Sequence, residues 1–239
     1  MSITVHSAVT VPEGDGVSVK RLMPLYGLRN YDPFVLWDHF DISGGGFPDH
    51  PHRGFEAITY LFDGGMKHTD TLGNRGTIHV GGAQRFTAGR GIVHSEFPDG
   101  RAHGIQLWIN LPKRLKSIEP DYQQLQADEI PECDQDGVII RTVVGVDGAI
   151  SLHTAVEYLD VRMNAGSSCQ RSLAAGLRGF IYVVEGTAMV NGLTLHHGDA
   201  AFIDAVSEVD LKTAHGVRLM WCFGMPHHES INQHGPYVD

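Results

Sequence analysis

The chain has 239 residues, 42% of them hydrophobic and 19% charged, enough to bury one large core or two smaller ones. Its formal charge of −10 excludes a binder of nucleic-acid backbone, which needs clustered Lys and Arg. The one basic cluster, Lys113, Arg114 and Lys116, lies beside Glu119 and Asp121 and reads as a solvated face.

In chain order, the opening MSITVHSAVT has neither a basic n-region nor a long apolar core, so no signal peptide is expected. Apolar runs such as FIYVV are far too short to cross a bilayer. The three cysteines, Cys133, Cys169 and Cys222, are far apart and form no CxxC pair, which fits a reducing compartment. The expectation is a soluble cytoplasmic protein with no membrane and no direct nucleic-acid contact.

Strands are expected at EAITYLF (56–62), GIQLWINL (104–111), GVIIRTVVG (137–145), GFIYVVEG (179–186) and VRLMWCF (217–223). Each is a short apolar run rich in β-branched or aromatic residues and bounded by turn formers. Helix is confined to a turn or two within 114–130, RLKSIEPDYQQLQADEI. With 29 glycines, the pattern predicts an all-β sandwich or barrel. Two internal similarities predict it twice. RGFEAITYLFDG (53–64) parallels RGFIYVVEG (178–186), each read as a strand that reverses in a hairpin at its last glycine. HVGGA (79–83) parallels HHGDA (196–200), where the second glycine marks the next turn. The expected domains are an N-terminal barrel over 1–125, a linker at 126–137 and a C-terminal barrel over 138–239.

Chemistry concentrates in the first half. If 50–56 is extended, His50, His52 and Glu56 share one face, because strand side chains alternate. In GRGIVHSEF (89–97), His94 and Glu96 stand two apart and share a face in the same way. The sum is three imidazoles and a carboxylate, His50, His52, His94 and Glu96, delivered as two pairs from two strands. Such a set suits Fe(II), Mn, Ni, Cu or Zn over Mg or Ca, and it leaves coordination positions open for substrate or O₂. Chance pairing among 15 histidines is the competing explanation, and two pairs matched in parity weigh against it.

HPHRGFE (50–56), HTDTLGNRG (68–76), TAGRGIVHSE (87–96), HGIQLWINLP (103–112), EPDYQ (119–123) and ESINQHGPYV (229–238) resemble the pirins, bicupin proteins of the cupin superfamily. The opening VSVKRLMPLYGLRNYDPFVLWDHFD (17–41) is similar as well. The resemblance implies two stacked antiparallel β-barrels of the jelly-roll or cupin type with few short helices. It implies one metal per chain, Fe(2+) first and Ni, Mn, Cu or Zn as alternatives, held in the N-terminal barrel by His50, His52, His94 and Glu96. Glu56 is then an outer partner or a weaker ligand. Aligned on the first barrel, the second carries Ser172, Ala174, Leu211 and Thr213 in place of the ligands, so it is expected to be metal-free. His68, His79 and His103 are expected to be satisfied structural histidines, His227 and His228 a surface loop, and Asp70 and Asn74 turn residues.

The activity so implied is quercetin 2,3-dioxygenase, which opens a flavonol with O₂ and releases carbon monoxide. Glu96 is the catalytic proton acceptor, with Glu56 second, and Phe55, Phe86 or Trp108 would stack on the planar substrate. The alternative is a non-catalytic, iron-dependent regulator that binds a protein partner, either a transcription factor or a metabolic enzyme. A metal-dependent hydrolase or isomerase ranks third, because the fold hosts many chemistries.

Overall fold

The computed structural model describes residues 2–239. All five expected strands are present, and the chain divides into two units that exchange their ends. The N-terminal unit joins Val9–Glu129 to the tail His227–Asp239, and the C-terminal unit joins Ile130–Pro226 to the opening residues up to Ala8. The ends differ from the expected bounds for a main-chain reason. Strand β1 (Ser2–Ser7) pairs antiparallel within the C-terminal sheet, and the tail is held by Arg53, whose carbonyl accepts from the Val238 N–H at 3.0 Å.

The N-terminal unit contains β2 (Val9–Glu13), β3 (Val17–Met23), β4 (Phe34–Ile42), β5 (Phe47–His52), β6 (Phe55–Asp70), β7 (Arg75–His79), β8 (Ala83–Thr87), β9 (Ile92–Asn110) and β10 (Asp121–Leu125). Their spatial order is β10-β8-β6-β9-β4-β3-β2, with β5 added to β9 and β7 to β6. The C-terminal unit contains β11 (Glu132–Gln135), β12 (Val138–Val144), β13 (Val156–Met163), β14 (Ser168–Ser172), β15 (Arg178–Val190), β16 (Leu193–His196), β17 (Asp199–Asp204), β18 (Glu208–Lys212) and β19 (Val217–Gly224). It is ordered β1-β17-β15-β19-β13-β12-β11, with β18 bridging β14 and β15 and β16 on β15. Two short strands, β20 (Gln233–His234) and β21 (Tyr237–Val238), form a hairpin in the tail.

The architecture is all-β, built from open antiparallel sheets and not from the closed barrels expected from sequence. The exposed edge strand β11 reads ECDQ, a polar and charged sequence that discourages further pairing. Helix reduces to single 3-10 turns at Lys113–Leu115 and Ala127–Glu129. Between them DYQQL pairs with β8 as a strand, and β11 draws Glu132–Gln135 of the expected linker into the sheet. No helix among the described residues is long and apolar enough to cross a membrane.

The glycines that were expected to end hairpins do something else. Gly64 lies inside the sixteen-residue β6, at φ +73°, where a Cβ would sit 1.9 Å from the Arg101 carbonyl oxygen. Register shifts flank it, so the strand bends and continues to Asp70 without reversing. Gly186, at φ +80°, bends β15 in the same way. The next glycines, Gly81 and Gly198, do fall in the turns between β7 and β8 and between β16 and β17.

The C-terminal sheet fills its interior with an apolar cluster that includes Val183, Val209, Leu211, Leu219 and Trp221. The N-terminal sheet carries such clusters as well, two of them flanking the site. One runs through Leu36, Trp108, Ala57 and Phe86, and the other through Val19, Phe40 and Leu61. Between those apolar rows lies a polar one. Arg21, Asp38, Gln106, Thr59, Gln84 and Gln124 stand opposite one another in turn across β3, β4, β9, β6, β8 and β10.

Candidate metal centre

Strand β9 carries the site. His94 stands opposite His50 of β5 on one side and Asp70 of β6 on the other, while Glu96 stands opposite His68. Alternation therefore presents His50, His94, Glu96 and His68 on one face. The four residues expected from sequence, joined by His68, form two overlapping triplets. His50, His52 and His94 make one, His68, His94 and Glu96 the other, with the potential ligand atoms of each within 4.8 Å of one another. His94 belongs to both. His68, expected to be merely structural, is part of the second.

The tautomers can be read from the outer partners. Carbonyl oxygens only accept, so His50 donates Nδ1–H to Pro48 O at 2.7 Å and His52 donates Nδ1–H to Pro236 O at 3.3 Å. His68 directs Nε2–H at Asp70 Oδ2, 3.0 Å away, which leaves the Nδ1 of the neutral ring to accept from His94 Nδ1–H at 3.5 Å. Burial raises the Asp70 carboxyl, but bonds from Asn74 and His68 outweigh it and hold the group below its usual range. All three imidazoles thus present Nε2 lone pairs inward, an arrangement typical of histidines oriented for metal. His50 Nε2 and His94 Nε2 lie 3.0 Å apart. Two lone pairs at that distance repel unless a cation lies between them. Two nitrogens bound at about 2.1 Å and at right angles around one ion would stand roughly 3.0 Å apart, so the donor set fits a transition metal.

Burial, then the nearby His50, pushes the His52 imidazole down to about 3. Burial and the surrounding histidines hold His94 well below its usual value. Both rings therefore stay neutral in the folded chain but protonate in the unfolded chain below 6.5. The unfolded state then binds more protons, so this share of stability is complete above pH 6.5 and is lost as pH falls toward 3. The unfolding midpoint of chelator-treated protein is expected to drop between pH 6.5 and about 4. Replacing His52 with phenylalanine should flatten that drop, and an equally steep drop in the variant would show that other groups cause it.

Glu96, 3% exposed, is held by the polar row. Its Oε1 accepts from Thr59 Oγ1 at 3.0 Å and from Gln84 Nε2, and its Oε2 accepts from Gln106 Nε2 at 2.9 Å. Tyr122 OH braces Gln84 Oε1 at 3.1 Å, and its ring stacks on His68 at 4.4 Å. Glu56 lies on the opposite face of β6 from Thr59, buried, and accepts from Thr87 Oγ1 at 2.9 Å. The expected shared face fails because the chain is not extended through 50–56. Gly54, at φ +85°, turns it between β5 and β6 and resets the alternation.

A cavity of about 500 Å³ opens over His50, His52, Glu96, Gln106 and Trp108, with Arg21 and Asp38 on its wall. Of the three aromatics expected to stack on substrate, Trp108 lines this space. Phe55 and Phe86 are fully buried behind His52, with ring centroids 5.1 and 5.5 Å from it. His103 is paired with His39, Nε2 to Nε2 at 2.8 Å, and His79 is exposed on β7. The backbone of His227 and His228 is anchored by Asp32, through bonds of 3.1 and 2.9 Å.

Residues 16–109 match the family model described as Pirin, and residues 140–222 match the one described as Quercetinase C-terminal cupin domain. Pirin from Homo sapiens is 38% identical over 246 residues, covering 95% of this chain and 83% of that one. The crystal structure of quercetin 2,3-dioxygenase from Acinetobacter baumannii superimposes with a TM-score of 0.91 at 28% identity, covering 98% and 90% of the two chains. The bacterial pirin YhhW from Escherichia coli, solved in complex with nickel(II), shares the fold with a TM-score of 0.79 at 23% identity, over 94% of this chain and 99% of that one.

Proposed function

The chain belongs to the pirin family, and we propose that it acts as a metal-dependent dioxygenase that opens a flavonol such as quercetin with O₂. The observation that carries this reading is the convergence of three inward Nε2 lone pairs and one carboxylate on a cavity large enough for a three-ring ligand. His50, His52, His94 and Glu96 would hold the metal, most simply Fe(2+), with Ni, Mn, Cu or Zn as alternatives. When bound, it would supply Lewis acidity and a meeting point for the flavonol oxygens and O₂.

The protein's own groups do the rest. Glu96 Oε2 has one partner, Gln106, against two at Oε1, so Oε2 is the oxygen with room to take the proton of the flavonol 3-hydroxyl. Thr59, Gln84 and Gln106 fix that carboxylate, and the apolar wall around Trp108 excludes bulk water. In the overall reaction both atoms of O₂ enter the ring-opened ester, two carbon–carbon bonds of the heterocycle break, and carbon 3 leaves as carbon monoxide.

The test is metal content measured together with O₂ uptake and carbon monoxide release on quercetin. Stoichiometric metal with equimolar uptake and release supports the dioxygenase. Stoichiometric metal without uptake would reject it and move the site to the alternative reading, a metal-dependent regulator that binds a protein partner.

A further inference from the structure

Arg21 and Asp38 face each other across β3 and β4, and both line the cavity. Asp38 is 5% exposed, and the guanidinium grips it twice, Nε to Oδ1 at 2.8 Å and Nη2 to Oδ2 at 2.6 Å. The same Nη2 reaches Glu13 Oε2. A buried ion pair carries a desolvation cost that an apolar pair of similar volume avoids, so fold stability alone does not account for charge here. Neighbouring inward positions on the same strands, Val19, Leu36 and Phe40, are apolar. Arg21 Nη1 takes part in none of these bonds, and each Asp38 oxygen keeps a free lone pair. This end of the polar row therefore offers both donors and acceptors to whatever fills the cavity.

Its position relative to the metal centre follows from the register. Gln106 stands opposite Asp38 and also holds Glu96, so the row leads from the carboxylate to the ion pair along one floor. At about 4.8 Å per strand, Arg21 lies two strands, roughly 10 Å, beyond Gln106. A planar ligand anchored at the metal would reach it with its far ring.

We infer that Arg21 and Asp38, backed by Glu13, form the recognition end of the pocket and bind phenolic hydroxyls on the flavonol ring farthest from the metal. A phenol donates to an Asp38 oxygen and accepts from Arg21 Nη1. A ligand without that hydroxyl leaves both groups desolvated and unmatched, which is how a polar site rejects an analogue. The inference rests on the flavonol reading and specifies which flavonols are taken.

The test uses iron-loaded protein without O₂, titrated by fluorescence with quercetin and with 3-hydroxyflavone. The second ligand keeps the chelating carbonyl and hydroxyl but has no other hydroxyl. The native protein should bind quercetin about 10- to 100-fold more tightly, the range for bonds to charged groups. The double variant Arg21→Leu/Asp38→Leu removes both buried charges together, leaves only the solvent-reached Glu13 carboxylate without its partner and should lose that preference while keeping its affinity for 3-hydroxyflavone. Asp38→Asn, which conserves shape, should lose part of the preference and serves if the double variant does not fold. Equal binding of both ligands by native protein, or an unchanged preference in a folded variant, overturns the assignment. Failure of native protein to bind either ligand overturns the flavonol reading itself, so the two failures are distinguishable.

Discussion

Replacement of His94 with alanine is expected to take bound metal from one ion per chain to almost none. His94 is the residue common to both triplets, and its Nε2 lies 3.0 Å from that of His50. Its loss leaves His50 and His52 on one side and Glu96 on the other with no ligand between them. A graded comparison separates ligand from support. His68→Phe keeps an aromatic ring against Tyr122 but removes the Nδ1 that accepts from His94 and the Nε2–H that meets Asp70. His94 is then free to change tautomer or rotate, a loss of outer orientation that commonly weakens metal binding by about 10- to 100-fold without abolishing it. Metal content after desalting, followed by calorimetric titration with Ni(II) or Zn(II), reads both effects. Stoichiometric metal in His94→Ala would remove the proposed centre. Native affinity in His68→Phe would reduce the Asp70–His68 pair to packing.

What the sequence made legible is what alternation over two or three residues decides. Within β9, His94 and Glu96 stay in phase because the strand is regular there, and His50 and His52 share β5 for the same reason. The same logic misplaced Glu56, because Gly54 resets the phase and nothing local marks that glycine as a turn instead of a bend. It also missed His68. That residue reaches the site because β6 continues past Gly64 to lie beside the start of β9, and this depends on a backbone contact with Arg101 that only the folded sheet contains. The polar row was out of reach for a similar reason. Arg21, Asp38, Thr59, Gln84 and Gln106 are spread over five strands, and only register aligns them. One sign was available: DHF (38–40) and QLW (106–108) each place a polar residue two before a buried aromatic inside an apolar run.

Deletion of residues 233–239 is expected to weaken the metal centre and destabilise the N-terminal unit together, because the tail forms part of the wall. Gln233, Gly235 and Pro236 line the cavity, and Pro236 O fixes the tautomer of His52. Val238 is fully buried, and its carbonyl accepts from Lys116 Nζ at 2.7 Å. That ammonium also binds Asn110 Oδ1 at 2.7 Å and Gly54 O at 3.0 Å, and burial pushes its pKa down to about 8. Loss of the buried valine alone should cost about 1.5–3 kcal/mol. The Arg53–Asp239 pair, half exposed on both sides, adds little, so Asp239→Ala should be nearly silent. Gly54→Ala attacks the same contact from beneath. A Cβ there would stand 1.9 Å from Val238 O, at a φ of +85° that alanine adopts poorly, so it should push the tail off while leaving every tail residue in place. If both the deletion and Gly54→Ala lower the unfolding midpoint and weaken metal binding by about tenfold, the tail orients His52. If both lower the midpoint but bind metal as the native protein does, the Pro236 carbonyl is dispensable and the tail only covers the wall.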